Sequence, residues 1–445
     1  MCMNEEYFYN IGGKFRTLFS TQAAQLFPLE ADSKGDGSNL LLTTRRGVLA
    51  GIDLYSSNTN FNAFLVATSG AGKSVLLNMI GFNTYARGDK LFVLDYDNSF
   101  TGLIENIDGQ YLNLDPSVKA ISFNPFSGIK TVLELRDELP YLSSFIYLLG
   151  SSKSISRAEE DEKLITNTLQ QVIKEQFDLF KNKLEITNIR DALYKEYGEE
   201  DRRFSDFARQ LDIYCQGGIY EEWFSGECEF SMEKDAMAVE FKGVENHPEL
   251  RDPLVMLLLY HIGKVMYSTD TTKPKIQIIF DEAHRFLGKN PRMDDFIEQA
   301  YRRARKFDGS IILATQGFSD IYDSEGGLSR AGKTIIDNSA WKFFMNQQET
   351  STNLLLSSGI FSFDDIDKKI IRKIRTQKRE YSEIFCINSS NVKMSLRLLM
   401  PNFFYYLTTT DGTDKKLIAS VMREHNCTKM EAIRKIVSEK EKKSA

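Results

Sequence analysis

The segment at 61–82 constrains the fold of this chain more than any other part of the sequence. An apolar run at 64–67 predicts a buried strand, a loop of small residues follows it, and Lys73 and Ser74 begin an apolar helical pattern. Backbone N–H groups of such a loop point inward and bind phosphate oxygens, and the positive end of the following helix adds to the attraction. The segment therefore predicts a strand, a phosphate-binding loop and a helix, in that order.

The loop follows the G-x-x-x-x-G-K-[ST] pattern except at its first position, where Ala67 replaces the glycine. Replacement of glycine by alanine is the smallest possible change, so we expect nucleotide binding to be slightly altered rather than lost. Lys73 is expected to reach the β- and γ-phosphates of ATP, and the Ser74 hydroxyl to bind Mg²⁺. A small-residue turn before a helix can serve packing alone, but this strand-to-helix context favours phosphate binding. The candidate nucleotide-binding residues are Thr68, Ser69, Gly70, Ala71, Gly72, Lys73, Ser74 and Val75.

Length, charge and cysteine content exclude several classes of protein. The chain has 445 residues, which is enough for two or three domains with a large core. Its net charge of −6 lacks the overall positive charge that is typical of nucleic-acid-binding proteins, so any contact with nucleic acid must be local. Five scattered cysteines without a C-x-x-C pair indicate a reducing cytosol and neither a disulfide frame nor a zinc site. We expect no transmembrane segment, because no run approaches roughly 20 apolar residues. We also expect no secretory signal, because the N-terminus MCMNEEYFYN lacks the charged-then-apolar pattern.

A second motif, KIQIIFDEAHRF at 275–286, places two acidic residues at a strand end. The run at 276–280 predicts a buried strand, and the carboxyl ends of parallel strands face the ligand crevice of an open sheet. We expect Asp281 to bind Mg²⁺ and Glu282 to orient and deprotonate the attacking water, because phosphoryl transfer depends on positioning and charge neutralisation. A solvated Asp-Glu pair that merely caps a strand is the weaker alternative, since a phosphate loop precedes it.

Two further groups of polar residues follow the acidic motif. Gln316 stands at the tip of the next predicted strand, 310–314, where its amide could sense the γ-phosphate or hold the water. The intervening predicted helix, 292–306, ends with Arg302, Arg303, Arg305 and Lys306. One interpretation is purely structural, because cations near the C-terminus of a helix are stabilised by the negative end of its dipole. The functional alternative is that Arg302 or Arg305 is an arginine finger for a nucleotide held by the neighbouring subunit.

The remaining sequence indicates an α/β protein. Further strands are predicted at 90–95, 110–114, 120–123, 236–241 and 341–345, and two short ones within 39–53. Between about 131 and 234 helical periodicity replaces the strand pattern, which predicts an all-helical insertion. We therefore divide the chain into an N-terminal remnant (1–38), an ATPase domain (39–130 and 235–410), the insertion (131–234) and C-terminal helices (411–445).

Several of these segments together carry a family resemblance. The phosphate loop, SFNPF at 122–126, IIFDEAHRFL, RRARKFDGSIILATQ and the closing LTTTDGTDKKLIASVMRE are similar to the ATPase domain of the TraC-like conjugative-transfer ATPases of type IV secretion systems. These belong to the larger FtsK–HerA group of P-loop motors. The resemblance runs from about residue 39 onward, and the DEAHRF-to-ATQ block is its most specific part.

The resemblance implies a RecA-like P-loop NTPase sheet flanked by helices and interrupted by the helical insertion. It implies ATP and Mg²⁺ as ligands, with Lys73, Ser74, Asp281 and Glu282 in the roles given above. Gln316 and the three arginines 302, 303 and 305 also match motif positions. Hexamers in the bacterial cytoplasm, docked on secretion-complex proteins at the inner membrane, are the implied assembly. Family members generally carry a large N-terminal domain, so the chain could be a fragment or a split gene product.

Two alternative functions remain open at this point. A DNA translocase of the same superfamily is supported by the basic run KKIIRKIRTQKR at 368–379. An amphipathic surface helix is the favoured interpretation of that run, because lysine stems cover apolar surface and no aromatic stacking platform is interleaved. The second alternative is a remnant that binds nucleotide without hydrolysing it.

Overall fold

A computed structural model of the chain describes residues 33–444, with gaps at 118–120, 152–158, 231, 267–273, 288–290, 324–325 and 410. Most of the predicted N-terminal remnant, 1–32, therefore lies outside the described residues. Among the described residues, twelve strands form one mixed sheet in the order β2-β1-β12-β11-β9-β3-β8-β7-β4-β6-β5, with β10 paired to β11. The strands are β1 (Leu40–Thr44), β2 (Leu49–Ile52), β3 (Ala63–Val66), β4 (Lys90–Asp95), β5 (Gln110–Asn113), β6 (Ala236–Glu240), β7 (Ile276–Phe280), β8 (Ser310–Thr315), β9 (Trp341–Phe344), β10 (Thr376–Gln377), β11 (Tyr381–Ile387) and β12 (Lys393–Leu399).

The α-helices cover both faces of this sheet. They are α1 (Lys73–Ala86), α2 (Thr101–Asn106), α3 (Val132–Leu149), α4 (Glu159–Phe180), α5 (Ile186–Ala192), α6 (Arg202–Leu211), α7 (Glu221–Phe224), α8 (Pro248–Met266), α9 (Pro291–Lys306), α10 (Arg330–Asp337), α11 (Glu349–Ser357), α12 (Asp365–Arg372), α13 (Asn402–Thr408), α14 (Gly412–His425) and α15 (Lys429–Ser444). Among these described helices, none is both long and apolar enough to cross a bilayer.

The sheet has two parts with different strand directions. From β9 to β5 the seven strands are parallel, which requires a crossover after each strand and places helices on both faces. From β11 to β2 the strands are antiparallel and extend the sheet beyond β9. The parallel part therefore gathers the loops after β3, β7 and β8 at one edge.

Burial explains why the central strands read as unbroken apolar runs. In β3, Phe64 and Val66 pack into the core on one face, and Ala63 and Leu65 pack into the core on the other. The first core includes residues of helices α3 to α12, and the second includes residues of α1 and α2. Between β5 and β6 the chain runs through α3 to α7, and their apolar faces join the first core rather than forming a separate one.

The structure agrees with most of the predicted strands and corrects two elements. The predicted strand at 120–123 is wrong over its described residues, because Phe123 donates its N–H to Trp223 O (2.7 Å) instead of joining the sheet. The basic run at 368–379 is not one helix: α12 ends at Arg372, and Thr376 begins β10. Ile371 and Ile374 are both buried, so the apolar residues of the run anchor a helix end and a hairpin separately.

Candidate nucleotide-binding site

The phosphate loop is fixed between the ends of two strands that flank β3. Ala67 donates its N–H to Thr315 O (3.0 Å) at the end of β8, and Thr68 donates to Asn346 O (2.9 Å) beyond β9. Ala67 itself is fully buried and continues the strand pairing, which is compatible with alanine at this position of the motif. The residues that follow therefore leave the sheet at a defined point and direction.

Two glycines give the loop its curvature. Gly70 has φ +78° and Gly72 has φ +97°, conformations in which residues with a Cβ are strained. A Cβ on Gly70 would point into open space, whereas a Cβ on Gly72 would collide with the Ser382 hydroxyl. Gly72 precedes α1, so the turn delivers Lys73 and Ser74 at the positive end of a 14-residue helix.

The predicted lysine and the two predicted carboxylates lie together in the structure. Lys73 Nζ is 2.7 Å from Asp281 Oδ1 and hydrogen-bonds Glu282 Oε1. All three side chains are almost fully buried, with exposed fractions of 7%, 2% and 4%. Burial lowers the pKa of Lys73, but the two carboxylates outweigh it and leave the pKa above its ordinary value. The lysine is therefore a fixed positive charge at the mouth of the loop.

The acidic strand β7 is not the direct neighbour of β3, since β8 lies between them. The loops after the three strands nevertheless converge because the strands are parallel and end at the same edge. Glu282 immediately follows Asp281 in a left-handed conformation, with φ +53°. Such a backbone costs a non-glycine residue about 1 kcal/mol, and it turns the Glu282 side chain back toward Lys73.

A histidine that the sequence analysis did not single out lies against Glu282. His284 Nδ1 is 3.2 Å from Glu282 Oε2 and 3.9 Å from Asp320 Oδ2. Asp320 in turn accepts hydrogen bonds from the Thr315 hydroxyl and from Gly317 N–H (3.0 Å). Burial raises the pKa of Glu282, but His284 and Lys73 outweigh it and hold this pKa below its ordinary value. The carboxylate is thus ionised and is linked to the end of β8.

The donor set fits a divalent cation next to phosphate. Ser74 is half-buried beside Ser99, with 3.4 Å between their hydroxyl oxygens. Asp281 and Asp95 end adjacent strands, and the Asp95 carboxyl is fully buried. Burial, together with Glu240 and Asp281, raises the pKa of Asp95 to about 8. Hydroxyl and carboxylate oxygens are the ligands Mg²⁺ prefers, with phosphates supplying the rest, so Ser74 and Asp281 are the residues that would hold it.

The ion pairs and hydrogen bonds of this cluster do not include the other predicted catalytic residues in the described part of the chain. Gln316 follows β8 at the loop edge of the sheet and is exposed. Arg302 and Arg305 are exposed near the end of α9, just before β8 begins. Arg302 Nη2 is 3.5 Å from Glu298 Oε2. Because β8 spans roughly 20 Å at the usual strand rise, these arginines lie near the opposite edge from the phosphate loop of their own chain.

A hairpin missed by the sequence analysis packs on the other side of the loop. Thr376 in β10 donates its hydroxyl to Ala71 O (2.7 Å), and Ser382 in β11 fills the space next to Gly72. A signal was present, since the basic run ends in a polar turn followed by the strand-like segment 381–387. Lysine stems that cover apolar surface favour a surface helix for this run instead, but that argument does not consider the turn that ends it.

Comparison with known proteins identifies relatives over nearly the whole chain. Residues 53–440 match the TraG P-loop domain family. The chain is 27% identical to protein TraC of Escherichia coli (strain K12) over 423 residues, which cover 91% of this chain and 46% of TraC. It thus spans about half of the length of this curated relative. The resemblance to TraC-like proteins that the sequence motifs predicted is confirmed.

Two solved structures share the fold. VirB4 of Thermoanaerobacter pseudethanolicus has a TM-score of 0.65 and 16% identity, covering 83% of this chain and 99% of that one. The plasmid coupling protein TrwB in complex with ADP and Mg²⁺ has a TM-score of 0.53 and 13% identity, covering 84% and 89%. At these identities the likeness concerns the fold alone. It confirms the predicted P-loop NTPase sheet flanked by helices.

Proposed function

Since the chain belongs to the TraG P-loop domain family, we propose that it is an ATP-hydrolysing motor of a type IV secretion or conjugative transfer system. In this proposal ATP turnover drives pilus assembly or substrate transfer. The observation that carries it is the buried contact of Lys73 with both Asp281 and Glu282 at the end of the phosphate loop. A strand capped only for solubility would leave its carboxylates in water, whereas these two are buried and aimed at the lysine.

The residues of the cluster divide the work of hydrolysis. Backbone N–H groups of the loop and the Lys73 ammonium bind the β- and γ-phosphate oxygens and stabilise the charge that develops on them. Glu282 accepts a proton from a water whose oxygen attacks the γ-phosphorus. The bond from that phosphorus to the bridging oxygen then breaks, and ADP leaves with the electron pair. In this proposal His284, whose Nδ1 lies 3.2 Å from the second Glu282 oxygen, keeps the carboxylate oriented.

Mg²⁺, when bound by Ser74 and Asp281, would neutralise charge on the β- and γ-phosphates. In this proposal Gln316, which is exposed after β8 at the same edge of the sheet, senses the γ-phosphate. Arg302 and Arg305 act from a neighbouring subunit in this proposal, because they are exposed and distant from the loop of their own chain. This arrangement requires an oligomer, and we propose the hexamer that the family resemblance implies. Docking on secretion-complex proteins at the inner membrane, from the bacterial cytoplasm, belongs to the same proposal.

The alternative of a DNA translocase has less support in the structure. Its best sequence evidence was the basic run at 368–379, which is divided between α12 and the hairpin. Lys378 and Arg379 pair with Asp411 and Asp414, both at 2.6 Å, so part of the positive charge is already compensated.

Phosphate release by the purified chain tests the enzymatic part of the proposal. Wild-type protein should hydrolyse MgATP, and Lys73→Ala should abolish nucleotide binding and turnover, because the loop would lose its only buried cation among the described residues around it. Lys369→Ala, an exposed lysine on α12, is the control and should behave as wild type. Wild-type protein that binds ATP without turnover as an assembled oligomer would favour the silent remnant instead.

Complementation tests the cellular part. In cells that encode this chain, replacement by Lys73→Ala should abolish conjugative transfer or pilus formation, whereas Lys369→Ala should retain it. Normal transfer in the Lys73→Ala strain would exclude the chain as the motor of that system. Stimulation of ATP turnover by DNA, with affinity that falls steeply in salt, would favour the translocase alternative.

A further inference from the structure

A serine outside the predicted motifs lies next to Ser74, the residue that would bind Mg²⁺. The Ser99 and Ser74 hydroxyl oxygens are 3.4 Å apart, and Ser99 is 4% exposed. Ser99 belongs to the loop that joins β4 to α2, whereas Ser74 belongs to the first turn of α1. The fold therefore brings two hydroxyl groups from separate elements together at the start of α1.

The loop after β4 is closed by the carboxyl group of Asp95, the last residue of that strand. Asp95 Oδ1 accepts the Tyr96 N–H (2.8 Å), and Asp95 Oδ2 accepts the Phe100 N–H (3.0 Å). Asn98 has a left-handed backbone with φ +56°, which asparagine adopts more often than most residues, and its N–H donates to Glu240 Oε2 (2.7 Å). Buried carboxyl groups at the ends of β4 and β6 thus fix the path of the loop.

A buried asparagine joins this loop to the helix that carries Ser74. Asn78 in α1 is fully buried, and its side-chain amide donates to Ser74 O (2.8 Å) and to Ser99 O (3.1 Å). One side chain therefore binds the backbone of both serines. As a result, the relative position of the two hydroxyl groups is set by the core of the protein and not by a solvent-exposed loop.

A hydroxyl that binds a cation has a different need for hydrogen-bond partners. It has one O–H donor and two lone pairs, so when Ser74 gives one lone pair to Mg²⁺, its O–H still requires an acceptor. Coordination withdraws electrons from the oxygen and makes the O–H a stronger donor. At 3.4 Å the contact with Ser99 is longer than the usual O–H···O bond of about 2.8 Å, and a stronger donor would shorten it.

We propose that Ser99 is a positioning residue for the divalent cation of this site. Its hydroxyl oxygen accepts the Ser74 O–H when Ser74 binds Mg²⁺, and this bond keeps the Ser74 oxygen directed at the cation. Ser99 itself contacts neither the cation nor the phosphates in this assignment. The inference rests on the proposed function, and it adds the loop after β4 to the parts of the chain that set metal affinity.

Calorimetric titration with a non-hydrolysable ATP analogue, in Mg²⁺ and in EDTA, tests the assignment. Ser99→Ala should weaken binding by roughly tenfold in Mg²⁺, as expected when a metal ligand loses its hydrogen-bond partner. Binding in EDTA should be unchanged, which also shows that the variant is folded. The control is Ser339→Ala, a buried serine just before β9 whose hydroxyl donates to Ile335 O (2.7 Å), and it should match wild type under both conditions.

A double-mutant cycle shows whether Ser99 acts through Ser74. Ser74→Ala removes the metal ligand, so the addition of Ser99→Ala should weaken binding in Mg²⁺ no further. If Ser99 only stabilised the loop, its loss would weaken binding equally in the wild-type and Ser74→Ala backgrounds. Additive losses would therefore overturn the positioning role.

The Mg²⁺ dependence of ATP turnover provides a kinetic test. The Mg²⁺ concentration for half-maximal rate should rise by roughly tenfold in Ser99→Ala, and the rate at saturating Mg²⁺ should approach that of wild type. A lower rate that Mg²⁺ does not restore would place Ser99 in the chemical step and overturn the assignment.

The binding outcomes separate this inference from the proposed function. Unchanged binding of Ser99→Ala in Mg²⁺, or an equal loss in Mg²⁺ and in EDTA, would overturn the positioning role and leave the phosphate site intact. Wild-type protein that binds the analogue equally well with and without Mg²⁺ would overturn the inference alone. Wild-type protein that binds the analogue under neither condition would overturn the proposed function and the inference with it.

Discussion

At the scale of single residues, the positions of Lys73, Ser74, Asp281 and Glu282 follow from sequence spacing. Each stands directly after a predicted strand or loop, and parallel strand ends share one edge. The placement of His284 does not follow from spacing, because it depends on the left-handed turn at Glu282 that sends the chain back across β8. Residue patterns do not predict a left-handed backbone at a single non-glycine residue such as Glu282.

His284 provides the first prediction. His284→Ala should lower kcat for ATP hydrolysis by roughly tenfold with little change in KM, because in the proposed mechanism the histidine orients Glu282 and is not a phosphate ligand. Steady-state kinetics separate the two parameters. His425→Ala, an exposed histidine at the end of α14, should leave both unchanged. A rise in KM with constant kcat would place His284 in binding rather than in orientation.

The two loop glycines provide the second prediction. Gly70→Ala should cost about 1 kcal/mol of unfolding free energy through backbone strain alone, because a Cβ there meets open space. Gly72→Ala should cost clearly more, because its Cβ also collides with Ser382. Urea unfolding measures both. Adding Ser382→Gly to Gly72→Ala should recover part of the difference, and no recovery would show that the collision is not its cause.

At the scale of elements, the parallel strands were predictable, but of the antiparallel extension only β1 and β2 were predicted, as the two short strands within 39–53. The central strands β3, β4, β7 and β8 are mostly apolar because both faces are buried. No strand is predicted from the sequence between 346 and 400, where β10, β11 and β12 lie. β12 alternates buried and half-buried residues, whereas β11 has Glu383 before an apolar run, and the pairing of Glu383 with Arg397 becomes evident only when the register of the two strands is known.

The buried carboxylate of this extension provides the third prediction. Glu383 accepts hydrogen bonds from Arg45 (2.7 and 3.0 Å) and from Arg397 (3.0 and 3.1 Å). Glu383→Gln should reduce the unfolding free energy at neutral pH by about 2 kcal/mol, the scale of hydrogen bonds to a charged group. Glu380→Gln, in the exposed hairpin turn, is the control and should have little effect.

The same residue predicts a pH dependence. Burial raises the pKa of Glu383, but Arg45 and Arg397 outweigh it and leave the native-state pKa below the ordinary value of 4.5. Its stabilisation is therefore fully present above pH 4.5 and is lost as the pH falls through the lower, native-state pKa. The stability difference between wild type and Glu383→Gln should shrink in acid, and a difference that grows there would contradict this sign.

At the scale of the whole molecule, the fold keeps the two predicted catalytic arginines of α9 away from the phosphate loop of their own chain. Arg302 and Arg305 are exposed on α9, near the edge of the sheet opposite the phosphate loop. The sequence could place them in a motif but could not show whether they serve their own nucleotide. Their position in the fold is what favours action on a neighbouring subunit.

Subunit mixing provides the fourth prediction. Lys73→Ala lacks a phosphate site but keeps its arginines, and Arg302→Ala with Arg305→Ala lacks the arginines but keeps the phosphate site. Each variant alone should be nearly inactive, and mixing them should restore part of the ATPase activity, because one subunit completes the site of the next. Arg136→Ala, which changes an exposed arginine of α3, should remain active alone. Activity of the arginine variant that is independent of assembly would exclude action between subunits.

The central claim is that one triphosphate is bound where Lys73, Asp281 and Glu282 meet, and that Glu282 activates the water. Its most direct test is the chemical identity of radiolabelled nucleotide recovered from Glu282→Gln protein after incubation with MgATP. The variant should bind ATP as tightly as wild type and return it unhydrolysed, while wild type returns ADP. ADP formed by Glu282→Gln at the wild-type rate would contradict the account.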